Sequence, residues 1–297
     1  MGQRTKTTTL EIRMKRLFSI CICVALSMFI AVPSIAETTL KQLQDAGVVR
    51  LGFANEAPYS YALPDGSLAG IDFDLMKLVF AELGVPKVEG VLTPFGSLIP
   101  GLKANRFDVV GTGLYIRPDR CGQVAFSEPN TVVGSVLIVP AGNPKKLHSF
   151  EDLAANPNYK LGYVIGGTIA VAQAGGVTPA QTVGFTDVIT AVSALKAGRT
   201  DAVLRTFIDA TQVVRASGDK AIEVAAPFNL PVKDGKTLLN YTGFAFRPED
   251  KALVAAFNEK LRKLLGSPTH LAMLEKYAIV QPAFPIKKTT QELCAGN

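Results

Sequence analysis

Leu102-Lys103-Ala104-Asn105-Arg106-Phe107-Asp108-Val109-Val110 and Leu195-Lys196-Ala197-Gly198-Arg199-Thr200-Asp201-Ala202-Val203 are two stretches built on one pattern. Each reads as the end of a helix, a turn at Asn105 or Gly198, and a strand opened by an aspartate. Each follows an earlier strand of matching appearance, Arg50-Leu51-Gly52-Phe53 in the first half and Lys160-Leu161-Gly162-Tyr163 in the second. Helix–turn–strand junctions look alike in many proteins, so one match carries little. Two matches in the same order point to two lobes of like topology. Strands alternating with helices predict an α/β fold in which each lobe is a mainly parallel sheet flanked by helices.

The rest of the chain fills in around these stretches. Leu40, Leu43 and Ala46 predict a helix ended by Gly47, with a strand from Val48 to Ala54 after it. Phe73, Met76, Phe80 and Leu83 recur at helical spacing and Gly84 stops them, and Ser97 to Ala104 predicts another helix. Ser135-Val136-Leu137-Ile138-Val139 is an apolar β-type run followed by the turn Ala141-Gly142-Asn143-Pro144, and it is read as a strand crossing from lobe 1 to lobe 2. Thr242-Gly243-Phe244-Ala245-Phe246 would be the return crossing. Pro248, Glu249 and Asp250 open a helix whose Leu253, Phe257, Leu261 and Leu264 form a core stripe, packing the C-terminus back on lobe 1. The expected division is residues 37–137 with 242–297 for lobe 1 and 138–241 for lobe 2, joined by a two-strand hinge. Such lobes close around ligands.

Residues 1–36 read as a secretory leader. Arg13, Lys15 and Arg16 precede an almost unbroken apolar run from Leu17 to Val32, and Ser34-Ile35-Ala36 is a small-x-small cleavage site. Met14 serves equally well as a start, because residues 1–13 add nothing a leader needs. The run is short for a membrane span, and no other segment is apolar enough to be one. The leader holds five basic residues (Arg4, Lys6, Arg13, Lys15, Arg16) and one acid (Glu11), so only +2 of the net +6 belongs to the rest of the chain. The basic balance therefore makes no case for nucleic acid or an acidic membrane. A periplasmic monomer is expected.

Of four cysteines, Cys21 and Cys23 leave with the leader, without the setting of a lipid anchor. Cys121 and Cys294 remain as an even pair in an oxidising compartment, and a disulfide is expected. Two cysteines with His148 and His270 make a poor metal set, so no metal and no cofactor is expected. Both histidines are read as solvated or packed.

Ligands of open α/β sheets bind beyond the C-terminal ends of the strands. Four segments lie there: Asn55 to Tyr59, Thr112 to Arg120, Ile165 to Thr168, and Arg205-Thr206-Phe207. Among them, Gly113-Leu114-Tyr115-Ile116-Arg117-Pro118-Asp119-Arg120, followed by Phe126-Ser127-Glu128-Pro129, resembles the signature of the polar amino-acid-binding proteins of ABC importers. The resemblance covers the chain beyond the leader and implies the two-lobed type II periplasmic-binding-protein fold. It implies a receptor that hands a small zwitterion to a membrane permease and catalyses nothing. It also implies that Arg120 forks onto the ligand carboxylate, where guanidinium geometry fixes orientation as well as charge. It implies too that Gly167 and Thr168 contact the ligand, Thr168 adding a hydroxyl with backbone N–H groups at the helix start that follows.

Two departures narrow the ligand. Tyr115 stands where the family has Ser. Thr206 stands where it usually places the Asp that holds an α-ammonium, and Asp209 is further along, on a helix, so that carboxylate is read as missing. Tyr59, Phe95 and Tyr115 could put three rings around the cleft, and aromatic faces attract diffuse cations. Glu56 could accept a hydrogen bond from the same end of the ligand. These features, with Ala54-Asn55-Glu56-x-Pro58-Tyr59, Phe95-Gly96-x-x-Ile99-Pro100-Gly101-Leu102 and Pro118-Asp119-Arg120-Cys121, resemble the branch of the family that binds ectoine and hydroxyectoine. That likeness implies ligand contacts by Glu56, Tyr59, Phe95, Tyr115 and Arg120, and supports a Cys121–Cys294 bridge. An ordinary polar amino acid, its ammonium on Glu56, is the alternative. A dehydratase-type enzyme on the same fold ranks lower, because Glu56 is the single candidate general acid.

Overall fold

The computed structural model describes residues 39–167, 169–277, 279 and 286–296. The expected leader and Thr168 lie outside them. Two five-stranded sheets carry the fold. In the first, Val48–Phe53 lies parallel between Lys87–Leu92 and Val109–Val110, and Ala245–Phe246 then runs antiparallel between Val109–Val110 and Ala125–Phe126. In the second, Leu161–Val164 lies parallel between Thr182–Phe185 and Ala202–Thr206, and Ser135–Pro140 runs antiparallel between Ala202–Thr206 and Ile222–Val224. The order is the same in both: second, first and third parallel strands, one antiparallel strand, and an edge.

The paired aspartates explain the echo in the sequence. Asp108 accepts the backbone N–H of Arg50 at 2.9 Å through Oδ2, while its own N–H donates to the Arg50 carbonyl at 2.9 Å. Asp201 does the same to Lys160, at 2.6 and 2.8 Å. Each aspartate thus closes the ladder at the start of the third strand, where the turn leaves the first strand's N–H unpaired. Asn105 and Gly198 hold the positive φ (56° and 70°) that turns helix into strand.

The helices also fall where periodicity puts them. Ile71–Glu82 buries Leu75, Met76, Val79 and Phe80. Lys251–Leu264 buries Leu253, Phe257, Leu261 and Leu264, and the Phe257 ring meets those of Phe80, Phe244 and Phe246 at 5.1–5.4 Å. The C-terminal helices therefore complete the first lobe's core. Cys121 and Cys294 form a disulfide that ties the last helix, Thr290–Cys294, to the short helix Pro118–Cys121. His270 is packed: it is 1% exposed and accepts the Gly266 N–H at 3.0 Å.

The crossing differs from expectation. Ser135–Pro140 does not cross; it is an inner strand of the second sheet, buried along all but its last residue. An unbroken apolar run needs cover on both faces, which an interlobe ribbon does not offer. The segments between the sheets lie just outside it: Thr131–Val133 pairs antiparallel with Asn240–Thr242, with Val132 opposite Tyr241. The return strand correspondingly splits, Asn240–Thr242 in the ribbon and Ala245–Phe246 in the first sheet.

Candidate functional site

The cleft between the sheets has a volume of about 550 Å³ counting its open mouth. Glu56, Tyr59, Phe95, Tyr115, Arg120, Gly167 and Thr206 all line it. The first five come from lobe 1 and the last two from lobe 2.

Arg120 is brought in by the helix Pro118–Cys121, whose first residue is a proline that needs no N–H partner. It is 4% exposed. Its Nη1 donates to the Tyr115 carbonyl at 2.9 Å and its Nη2 to the Gly166 carbonyl of the other lobe at 2.8 Å. The guanidinium lies over the Phe95 ring, 5.7 Å from its centroid. A guanidinium carries five N–H groups, so these contacts leave donors over for a carboxylate. Burial, with Arg117 nearby, pushes it down to about 10, still charged at neutral pH.

Tyr59 behaves less like a cage wall than expected. Its ring is 2% exposed and belongs to the first lobe's core. Gly113, at φ +71°, lies so close that a Cβ there would sit 2.7 Å from the ring. What Tyr59 presents is its hydroxyl, 3.2 Å from Thr206 Oγ1 across the lobes. Thr206 caps the helix Phe207–Ser217 by accepting the Asp209 N–H. Tyr115 and Phe95 are only half-buried.

Arg205 and Asp209, absent from the expected ligand contacts, also line the cleft. Arg205 donates through Nη2 to Glu56 Oε1 of the other lobe at 3.1 Å and through Nε to Asp209 Oδ2. Burial pushes the Glu56 and Asp209 carboxyl groups upward against the pull of Arg205. The carboxylate read as missing beside Thr206 is therefore present: Asp209 does lie on a helix, and the first turn of that helix returns it to the cleft. The readable signal was an arginine inside the otherwise uncharged strand Ala202–Thr206, because a buried guanidinium needs a carboxylate partner and Asp209 is the next acid along the chain. Among the described residues no group of three or more His, Cys, Asp or Glu is placed to hold a metal ion, and no helix is long and apolar enough to cross a membrane.

Residues 49–279 match the family described as bacterial extracellular solute-binding proteins, family 3. The chain belongs to this family. It is 35% identical over 280 residues to a "probable amino-acid ABC transporter periplasmic-binding protein" of Sinorhizobium fredii, covering 93% of this chain and 92% of that one. The crystal structure of EhuB in complex with hydroxyectoine superposes on this solute-binding protein with a TM-score of 0.78, at 32% identity, covering 87% of this chain and 98% of that one. The ancestral amino acid-binding protein AncCDT-1, described as a precursor of cyclohexadienyl dehydratase, gives 0.69 at 29% identity over 80% and 98% of the two chains. A family 3 solute-binding protein takes up a small solute and works with the permease of an ABC importer.

Proposed function

We propose that the protein is the periplasmic receptor for ectoine, hydroxyectoine or a similar net-neutral compatible solute, which it holds between its lobes and does not convert. Arg120 carries the reading, as a buried guanidinium facing a cleft walled by Phe95 and Tyr115 with Glu56 also on the lining. Arg120 takes the ligand carboxylate, the two rings take the faces of its delocalised cation, and Glu56 accepts from its N–H. Tyr59 and Thr206 bridge the lobes above the ligand, and Gly167 supplies a contact from lobe 2; Thr168, outside the described residues, is the further contact that the family resemblance implies. The likeness to EhuB with hydroxyectoine supports this ligand class. The leader would direct the chain to the periplasm as a monomer, and the ribbon of Thr131–Val133 and Asn240–Thr242 would serve as the hinge.

A second reading is an ordinary polar amino acid. It is favoured by Asp209, which lines the cleft and can meet an α-ammonium together with Glu56. Calorimetric titration of the Tyr115→Ala variant separates the two. A diffuse cation depends on the ring, so hydroxyectoine affinity should fall about tenfold or more. Unchanged hydroxyectoine affinity in that variant, or tight binding of an α-amino acid in its place, contradicts the aromatic-wall reading.

A further inference from the structure

The charges lining the cleft balance: Glu56 and Asp209 stand against Arg120 and Arg205. Arg205 is what makes them balance. Its side chain is 7% exposed, and it spans carboxylates that are 9% and 1% exposed. The strand Ala202–Thr206 delivers Arg205 and the first turn of Phe207–Ser217 delivers Asp209, so local geometry pins the cation where it cannot swing into water. Asp209 Oδ1 is buried without a hydrogen-bond partner among the described residues, and one Glu56 oxygen accepts from Arg205. The two carboxylates thus keep acceptor capacity for the positive end of a ligand whose own carboxylate sits on Arg120.

We propose that Arg205 is a specificity-determining residue, a fixed guanidinium that offsets the two cleft carboxylates so that the site accepts net-neutral zwitterions and rejects solutes of net positive charge such as basic amino acids. The inference rests on reading the cleft as the solute site and narrows its ligand class by charge. A net charge carried into a buried cleft loses its hydration, and only an uncompensated counter-charge makes up the loss. Without Arg205 the lining would hold one such negative charge; with it there is none.

The test is calorimetric titration of the purified protein and its variants with L-arginine and with hydroxyectoine. The unaltered protein should bind hydroxyectoine and give no heat with L-arginine. Arg205→Gln should raise L-arginine affinity by about tenfold or more, while Arg205→Lys, which keeps the charge, should not. Arg205→Gln combined with Asp209→Asn restores the balance and should reject L-arginine again, a pattern that a purely structural role for Arg205 does not produce. L-arginine binding by the unaltered protein, or no gain in a folded Arg205→Gln variant, overturns the proposal. Should Arg205→Gln fail to fold, Asp209→Asn replaces it. That change makes the lining net positive and should improve binding of L-glutamate by about tenfold, and no improvement overturns the proposal. If hydroxyectoine fails on the unaltered protein while the L-arginine pattern holds, the ligand proposed above is wrong and the charge filter stands.

Discussion

Arg120 and Asp72 show how single buried charges set the site. Arg120 is held by two carbonyls and a ring face, none of which neutralises it. A ligand carboxylate would, through paired charge-assisted hydrogen bonds. Arg120→Ala should therefore cost about a hundredfold or more in ligand affinity, while the ligand-free melting temperature, followed by circular dichroism, changes little. Asp72 lies behind the cleft. Its Oδ2 accepts the Gly113 N–H and its Oδ1 the Asn130 amide, both at 2.7 Å, and Asn130 in turn accepts from Thr242 Oγ1 at 2.8 Å. Burial pushes its carboxyl up to about 6 from 3.8, against the pull of Gly113 and Asn130. Over that window the folded chain keeps a proton that the unfolded chain has released, so this group's contribution to stability falls as pH rises through it. Urea unfolding of Asp72→Asn should lose that part of the slope between about pH 4 and 6; an unchanged slope would mean Asp72 is not its source. Arg120 was legible because a signature surrounds it. Asp209 was not, because a carboxylate one helical turn past the expected position looks like surface until the helix start is placed.

At the scale of elements, the lobes meet through backbone. A Cβ at Gly166 would lie 2.4 Å from Gly96 Cα, and Gly166 itself holds φ +86°. Gly166→Ala should therefore keep the lobes apart and weaken ligand binding by about tenfold or more, with both sheets intact by circular dichroism. Small-angle scattering of the ligand-saturated variant should stay at the more open profile. The disulfide is a second element-scale link, spanning 173 residues. Removing a native bridge costs about 2–5 kcal/mol, and Cys121→Ser with Cys294→Ser should lower the denaturant midpoint accordingly. The helices and the two aspartate-led strands could be read from the chain, since periodicity and turn residues are local. The ribbon could not: Thr131-Val132-Val133 and Asn240-Tyr241-Thr242 pair across more than a hundred residues, and the neighbouring run Ser135–Val139 has the stronger strand character.

At the scale of the molecule, one lobe is discontinuous in sequence. Phe257 joins the C-terminal segment to the first lobe through three rings. Phe257→Ala should cost about 3–5 kcal/mol, and with it the shape of the lobe that carries Arg120. The two-lobed plan was readable because it is written twice. The ligand is less so, because Arg205 changes the charge of the cleft and is contributed by the lobe whose site residues the signature leaves unspecified. The proposed role is that of a receptor for a net-neutral compatible solute. Its most direct test is isothermal titration calorimetry of the purified protein against ectoine, hydroxyectoine, glycine betaine, proline and a panel of amino acids. Ectoine or hydroxyectoine should bind tightly, with weak or absent heats from the ordinary amino acids. Tight binding of an ordinary amino acid with no response to either ectoine would contradict it.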